Sequence, residues 1–243
     1  MADEEHVVQK RNGKKLSYAK DNMERMPYEF YAEIFRKAEP TAISNRLGIP
    51  YDLEKQEFTV MFMGKRYRIT HPKFAVSHVE GNEDLLCEPV SVRSDVVKSY
   101  YPLEEDVYAK ILVLRYLLNS SVFSHNGEFR SYRELPSGDL YDRQFQGRCI
   151  FRLNRKYGNR LEMLKKVMDH LGAAPVKLGN MGYDLEIFEE LYVRFILWEG
   201  DEEFPASSQV LFSSNFPAAF GAYDLAEVGE ICINTFSNIE KIL

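Results

Sequence analysis

The densest cluster of groups able to do chemistry is acidic: Glu199, Asp201, Glu202 and Glu203 surround Gly200, directly after the apolar run 192–198 and before Phe204-Pro205. Carboxylates this close can ligate a hard cation through oxygen, or hold one proton between them and serve as an acid. The simpler reading is a solvated turn whose charges keep a hydrophobic strand pair from sticking to a neighbour. A second cluster runs Arg133-Glu134-Leu135-Pro136, with Gly138, Asp139 and Tyr141, and on to Arg143, Gln146, Gly147 and Arg148. Arginines and tyrosines around a Gly/Pro turn can hold a ligand's carboxylate or phosphate by paired hydrogen bonds and stacking. The alternative is a loop pinned by an Arg133–Glu134 or Arg133–Asp139 ion pair. Arg133, Glu134, Gly138, Tyr141, Arg148, Trp198, Asp201, Glu202 and Phe204 are therefore the candidate ligand-binding residues, and no catalytic set stands out.

The remaining reactive side chains are dispersed. His6, His71, His78, His125 and His170 have no metal-ligand spacing with one another or with cysteine, although His71 and His78 could meet across a strand. His125, beside Asn126-Gly127, is either a turn histidine in water or a single axial ligand or proton donor. Trp198, Phe204, Phe212, Phe216 and Phe220 read as core, with stacking on a flat cofactor the minority reading. Cys87, Cys149 and Cys232 are far apart and never in a C-x-x-C arrangement, which fits a reducing compartment and supplies no iron–sulfur or metal motif. The chain has no P-loop, G-x-G-x-x-G, H-E-x-x-H or G-x-S-x-G pattern, so the commonest enzyme classes lose their sequence signatures.

These clusters need elements to position them. The run 192–198, with the single internal charge Arg194, reads as a strand buried on most of both faces, and the acidic break as its solvent-exposed end before a partner strand at 209–212. Upstream, Phe30, Tyr31, Ile34, Phe35 and Ala38 recur at helical spacing after Pro27, and a short helix over 41–47 ends at Gly48. Phe58, Val60 and Phe62 then alternate, turn at Met63-Gly64-Lys65, and continue as Tyr67 and Ile69: a hairpin with one buried face, which 75–79 extends by a third strand. Residues 81–101 show no period and read as an insertion. A wide apolar stripe through Val107, Ile111, Leu114 and Leu118 predicts a buried helix. The stretch 131–141 reads as a polar loop without period. Helices are expected over 142–157 and from an Asn159 cap to Leu171, strands over 176–178 and 183–188, and a final helix with Asp224 and Glu227 as a capping box and Leu225, Val228, Cys232, Phe236 and Ile239 inward. Strands cluster in two groups rather than alternating with helices, which favours an α+β fold with a mainly antiparallel sheet.

With 243 residues, 45% hydrophobic and 28% charged, the chain can build a core without disulfide or metal. We expect a flexible tail over 1–20, including the basic cluster Lys10-Arg11-Asn12-Gly13-Lys14-Lys15, followed by a single domain over 21–243. A net charge of −6 argues against nucleic acid as a partner. The absence of a long uncharged apolar run and of a secretory pattern makes the cytoplasm the expected compartment, with no membrane partner.

The segments SYRELPSGDLYDRQFQGR and LWEGDEEFPASSQVLF, with the closing DLAEVGE helix, resemble the family called domain of unknown function 3786, from about residue 28 onward. That resemblance implies an uncharacterised domain of anaerobic bacteria and archaea. Relatives sometimes carry a 4Fe-4S module and occur near corrinoid and one-carbon enzymes. It therefore implies an accessory role in anaerobic cofactor metabolism, with an iron–sulfur or corrinoid protein as partner and a corrinoid or other tetrapyrrole as the cofactor to test. The expected function is a non-enzymatic binding domain in which the Arg133 loop and the 199–205 turn meet over one pocket at the rim of a single sheet, to bind an anionic or tetrapyrrole-like cofactor or a partner protein. Two alternatives stand beside it: an enzyme using Asp201, Glu202 or Glu203 as acid, base or metal ligand with Arg133 fixing an anionic substrate, and a scaffolding protein.

Overall fold

The structure, a computed structural model, describes residues 26–79 and 99–243. The expected tail, the basic cluster and most of the insertion lie outside the described residues. Helix α1 (Met26–Lys37) is followed by α2 (Pro40–Leu47), whose first N–H groups are capped by the Glu39 carboxylate and whose end is Gly48 at φ 68°. A four-stranded antiparallel sheet comes next, in the order β1 (Tyr51–Asp52), β2 (Glu57–Phe62), β3 (Lys65–Thr70), β4 (Val76–His78). The alternation read from the sequence puts Phe58, Val60, Phe62, Tyr67 and Ile69 on its buried face. Met63 and Gly64, both at positive φ, make the two-residue turn whose twist suits a hairpin.

Helices α3 (Pro102–Glu105) and α4 (Val107–Asn119) lead to a second antiparallel sheet of five strands. Its spatial order is β5 (Phe129–Ser131), β9 (Ser207–Ser213), β8 (Leu191–Trp198), β7 (Met181–Phe188), β6 (Ala174–Pro175). The run rich in β-branched and aromatic residues is thus the middle strand β8, and it is buried along most of its length. Between β5 and β6 the chain forms a 3-10 turn (Tyr132–Glu134), α5 (Gly138–Phe145), a π-helical turn (Gln146–Ile150), α6 (Phe151–Tyr157) and α7 (Leu161–His170). The last helix, α8 (Ala222–Glu240), is buried on nearly every side and packs on α4, α5, α7 and the π-turn. One continuous cluster of buried apolar residues runs through both sheets, including the edge-to-face pair Phe195–Phe236 between β8 and α8. Each such side chain contributes about 1.5–3 kcal/mol by leaving water.

The two sheets are joined through backbone. Met63 N–H donates to Ile187 O at 2.9 Å and Gly64 N–H to Glu186 O at 3.0 Å, so the β2–β3 turn plugs onto the end of β7. This is the α+β architecture with antiparallel sheets that the grouping of strands predicted.

Several local expectations are corrected. Residues 131–141 are not a structureless loop: Ser131 pairs with Leu211 on β9, Leu135 is buried, and α5 has begun by Gly138. Long-range pairing supplies what local periodicity lacks. Helix α7 starts at Leu161 with Arg160, not Asn159, in the cap position and no side-chain cap. The strand expected over 176–178 is instead Ala174–Pro175, and Val176–Leu178 turns tightly toward β7. Asp224 is not a cap: Gly221 is, and Asp224 and Glu227 pair with Arg115 and Arg148 from other helices. On α1, Phe30 and Ile34 are exposed while Phe35 is buried, so the apolar face is narrower than its spacing suggested.

Candidate functional site

Antiparallel pairing sets where the two polar clusters stand. Ser131, the last residue of β5, faces Leu211, and Trp198, the last of β8, faces Ser207, the first of β9. The turn 199–206 thus leaves the sheet at Ser207, whereas the segment from Tyr132 onward leaves it at Leu211, farther along β9, with the Tyr132 ring beside Phe212 at 6.3 Å. Their contact runs through the helix between them: Asn154 Nδ2 donates to Ala206 O at 2.7 Å, and Ser208 Oγ to Ile150 O at 3.2 Å.

Within the first segment, most of the candidate residues have structural work. Glu134 Oε2 accepts from Ser131 N–H at 2.8 Å and Ser131 Oγ at 2.7 Å, closing the 3-10 turn; these bonds hold its carboxyl below the usual range. A Cβ at Gly138 would fall 1.9 Å from Tyr132 O, so only glycine lets α5 start this close to the turn. Tyr132 stacks on Phe145 at 4.2 Å and donates its hydroxyl to Ala222 O at 2.7 Å. Arg148 points inward, with Nη2 2.5 Å from Glu230 Oε2 and 3.3 Å from Glu227 Oε1. Arg133 is exposed and forms neither of the expected local ion pairs, nor any other among the described residues. Tyr141 is 43% exposed.

The acidic turn is ordered by its own backbone. Asp201 Oδ1 accepts from Glu203 N–H at 2.9 Å and Phe204 N–H at 2.7 Å, and these bonds keep its carboxyl below the ordinary range. Glu202 is exposed, Phe204 is 67% exposed, and Trp198 is half-buried at the foot of the turn. Exposed Arg133 and Tyr141 thus stand on the segment leaving β5, and exposed Phe204 and half-buried Trp198 on the turn leaving β8, while Glu134 and Asp201 fasten turns.

Among the described residues, which exclude His6 and Cys87, the dispersed histidines and cysteines do not converge on a metal site. His71 Nε2 lies 3.1 Å from Phe35 O, whereas His78 bonds Glu104 at 2.8 Å and stacks on Tyr101, so the two do not meet across a strand. The His125 ring packs on Phe129 and Tyr192 rather than standing in water. Cys149 and Cys232 are buried, and burial raises both thiols; for Cys149 the value is pushed up to about 12. Among the described residues no group of three or more His, Cys, Asp or Glu is arranged to hold a metal ion, and no helix is long and apolar enough to cross a membrane.

Two features escaped sequence reasoning. Arg148, Arg152, Lys156 and Arg160 recur every four residues and pair along α8 with Glu227, Glu230 and Glu240, a ladder that the spacing alone could have revealed. A cavity of about 800 Å³, lined by none of the candidate residues above, opens between the end of α8 and the start of α4; no local sequence pattern joins the elements that form it.

The class so defined is an α+β protein of two joined antiparallel sheets. The family model described as domain of unknown function (DUF3786) matches residues 39–235, and the chain belongs to that family. The match begins in the cap of α2 and ends within α8, narrower than the resemblance over 28 onward. No curated protein and no solved structure matches the chain.

Proposed function

We propose that this chain is a non-enzymatic binding domain whose binding residues are Arg133, Tyr141, Trp198 and Phe204. Its ligand on this reading is flat and anionic, of the tetrapyrrole class that includes corrinoids. What supports it is an arginine without an ion pair among the described residues on the segment leaving β5, with exposed rings on that segment and on the turn leaving β8. A guanidinium is available to bind a carboxylate, and rings to stack on a planar face. Of the carboxylates that the enzyme alternative would use, Asp201 is committed to two turn N–H groups, which hold it below the usual range and leave it a poor acid or base.

Trp198 is the sole tryptophan, so intrinsic fluorescence reports on this site alone. Titrating the anaerobically purified protein with a cobamide, and separately with haem, is expected to quench Trp198 saturably and shift the ligand's visible spectrum. Arg133→Ala with Tyr141→Ala should weaken binding by about tenfold or more, as loss of anchoring contacts does. Unchanged fluorescence and unchanged spectra at excess ligand would refute the cofactor.

A further inference from the structure

The cavity between α8 and α4 has walls of opposite chemistry. On the α8 wall, Asn234 and Asn238 stand one turn apart, and each steers a cation with its side-chain oxygen. Asn234 Oδ1 accepts from Arg152 Nη2 at 2.7 Å, and Asn238 Oδ1 from Lys241 Nζ at 2.8 Å. A neutral amide fixes a cation without cancelling its charge. Arg152 Nη1 also donates to Glu230 Oε1 at 3.4 Å, an ion pair in which the one carboxylate is shared with Arg148 at 2.5 Å. With both amide oxygens committed, this wall offers a guest the Lys241 ammonium, which no carboxylate pairs among the described residues, and an Arg152 guanidinium that shares its one carboxylate with Arg148.

The facing wall is the α3–α4 junction, with exposed Glu105 and with Asp106, whose Oδ1 accepts from Tyr108 N–H at 2.8 Å. It offers acceptors and negative charge. A guest satisfying both walls has an anionic end and, across from it, hydroxyl or amine donors. At about 800 Å³ the cavity is of the size that holds a metabolite, roughly 300–1,000 Å³. Two cations and an amide suit a group with three terminal oxygens and up to two charges better than a carboxylate.

We infer that this cavity is a binding site for a phosphorylated metabolite bearing hydroxyl or amine donors, its phosphate held between Arg152 and Lys241. The site shares no lining residue with the binding residues proposed above. Phosphate engagement alone does not exploit the Glu105 wall, so the donor-bearing end raises affinity beyond that of the free ion.

The test is a titration of 15N-labelled full-length protein with AMP, inorganic phosphate and adenosine, followed by amide chemical shifts. AMP should shift residues 234–242 and 105–108 saturably, phosphate should shift the 234–242 set more weakly, and adenosine should shift neither at matched concentration. Lys241 is exposed, so Lys241→Ala should fold normally and bind AMP about tenfold or more weaker, the loss expected of a charge-assisted contact. Glu105→Gln should narrow the gap between AMP and phosphate. Trp198 fluorescence should stay constant throughout, which separates this site from the other. No shift with AMP or phosphate, equal shifts with adenosine, or unaltered AMP affinity in Lys241→Ala would each overturn the inference.

Discussion

The Glu189 carboxylate accepts the backbone N–H of Met61 at 2.7 Å, a side chain at the end of β7 completing the open edge of β2. Strand β1 is too short to cover that edge, since it pairs only with Glu57 and Phe58. An N–H left there without an acceptor would cost about 1–3 kcal/mol, so the bond seals the junction of the two sheets. Burial raises the pKa of Glu189; the Met61 bond opposes that and Glu186 adds to it. A carboxyl raised in the folded state takes up its proton earlier than in the unfolded chain. Its contribution to stability therefore improves as pH falls from neutral toward the ordinary carboxyl range, and declines as pH rises through the folded pKa.

Glu189→Gln keeps the acceptor and removes the ionisation. It should match or exceed the parent's urea midpoint at pH 7, with the advantage shrinking toward pH 5. Glu189→Ala should lose about 1–3 kcal/mol at both. Equal losses in the two variants at pH 7 would mean that the junction needs the charge itself.

Gly64 should be the least replaceable of the positive-φ glycines at the ends of elements. A Cβ there would lie 1.9 Å from Leu171 O, whereas at Gly48 and Gly172 it would meet nothing within 4 Å. All three have φ near +70° and share the backbone strain of an added Cβ. Gly48→Ala and Gly172→Ala should therefore cost about 1–2 kcal/mol each. Gly64→Ala must also separate the hairpin from α7, and should cost about 3 kcal/mol or more, or prevent folding. Denaturant midpoints of the three alanine variants decide it, and similar midpoints would mean the turn can withdraw from Leu171.

Glu240 closes the ion-pair ladder. Burial alone would raise its pKa, but bonds from Lys156, Arg160 and Tyr157 outweigh that and lower it. A depressed carboxyl contributes stability that is present above its unfolded pKa of about 4.5 and lost as pH falls through the folded value. Amide exchange in the last turns of α8 should accelerate more than elsewhere as pH drops from 5 to 3, after correction for intrinsic rates. Glu240→Gln should show fast exchange already at pH 7, with a loss of about 1–2 kcal/mol. A helix end whose protection ignores both changes would not depend on this network.

Patterns that repeat along the chain were the legible part. Phe58, Val60 and Phe62 alternate before a Met63-Gly64 turn, and Leu225, Val228, Cys232, Phe236 and Ile239 mark one stripe of α8, because a regular element repeats its environment at its own period. What stayed hidden depends on partners distant in sequence. Ser131 is a strand residue only because β9 lies beside it, and Arg148 turns inward only because Glu227 and Glu230 face it. At the candidate site the residue types were readable while their duties were not. Asp201 and Glu134 are acids by sequence and turn fasteners by geometry, and the cavity of Asn234 and Lys241 is assembled from separate elements that no motif connects.

Asp224 gives the sharpest case of a charge whose meaning depends on a distant partner. It is 5% exposed in the first turn of α8, and Arg115 on α4 meets it at 2.7 Å. Burial raises its pKa, while the Arg115 charge and the Gly221 N–H pull it back. Arg115 keeps a route to solvent and lies 5.5 Å from the Tyr31 ring centroid, so it tolerates losing its partner better than Asp224 does. Removing the cation should therefore hurt more than removing the acid: Arg115→Met should cost about 3–5 kcal/mol at pH 7, the price of an uncompensated buried charge. Asp224→Asn should cost clearly less, and the double variant should recover much of the loss. Because Arg115→Met drives the Asp224 pKa further up, its deficit should narrow as pH falls toward 5, where the carboxyl is neutralised. Urea unfolding of the three variants at pH 7 and pH 5 measures this directly. Equal, pH-independent losses in the two single variants would mean that shape rather than charge holds α4 against α8.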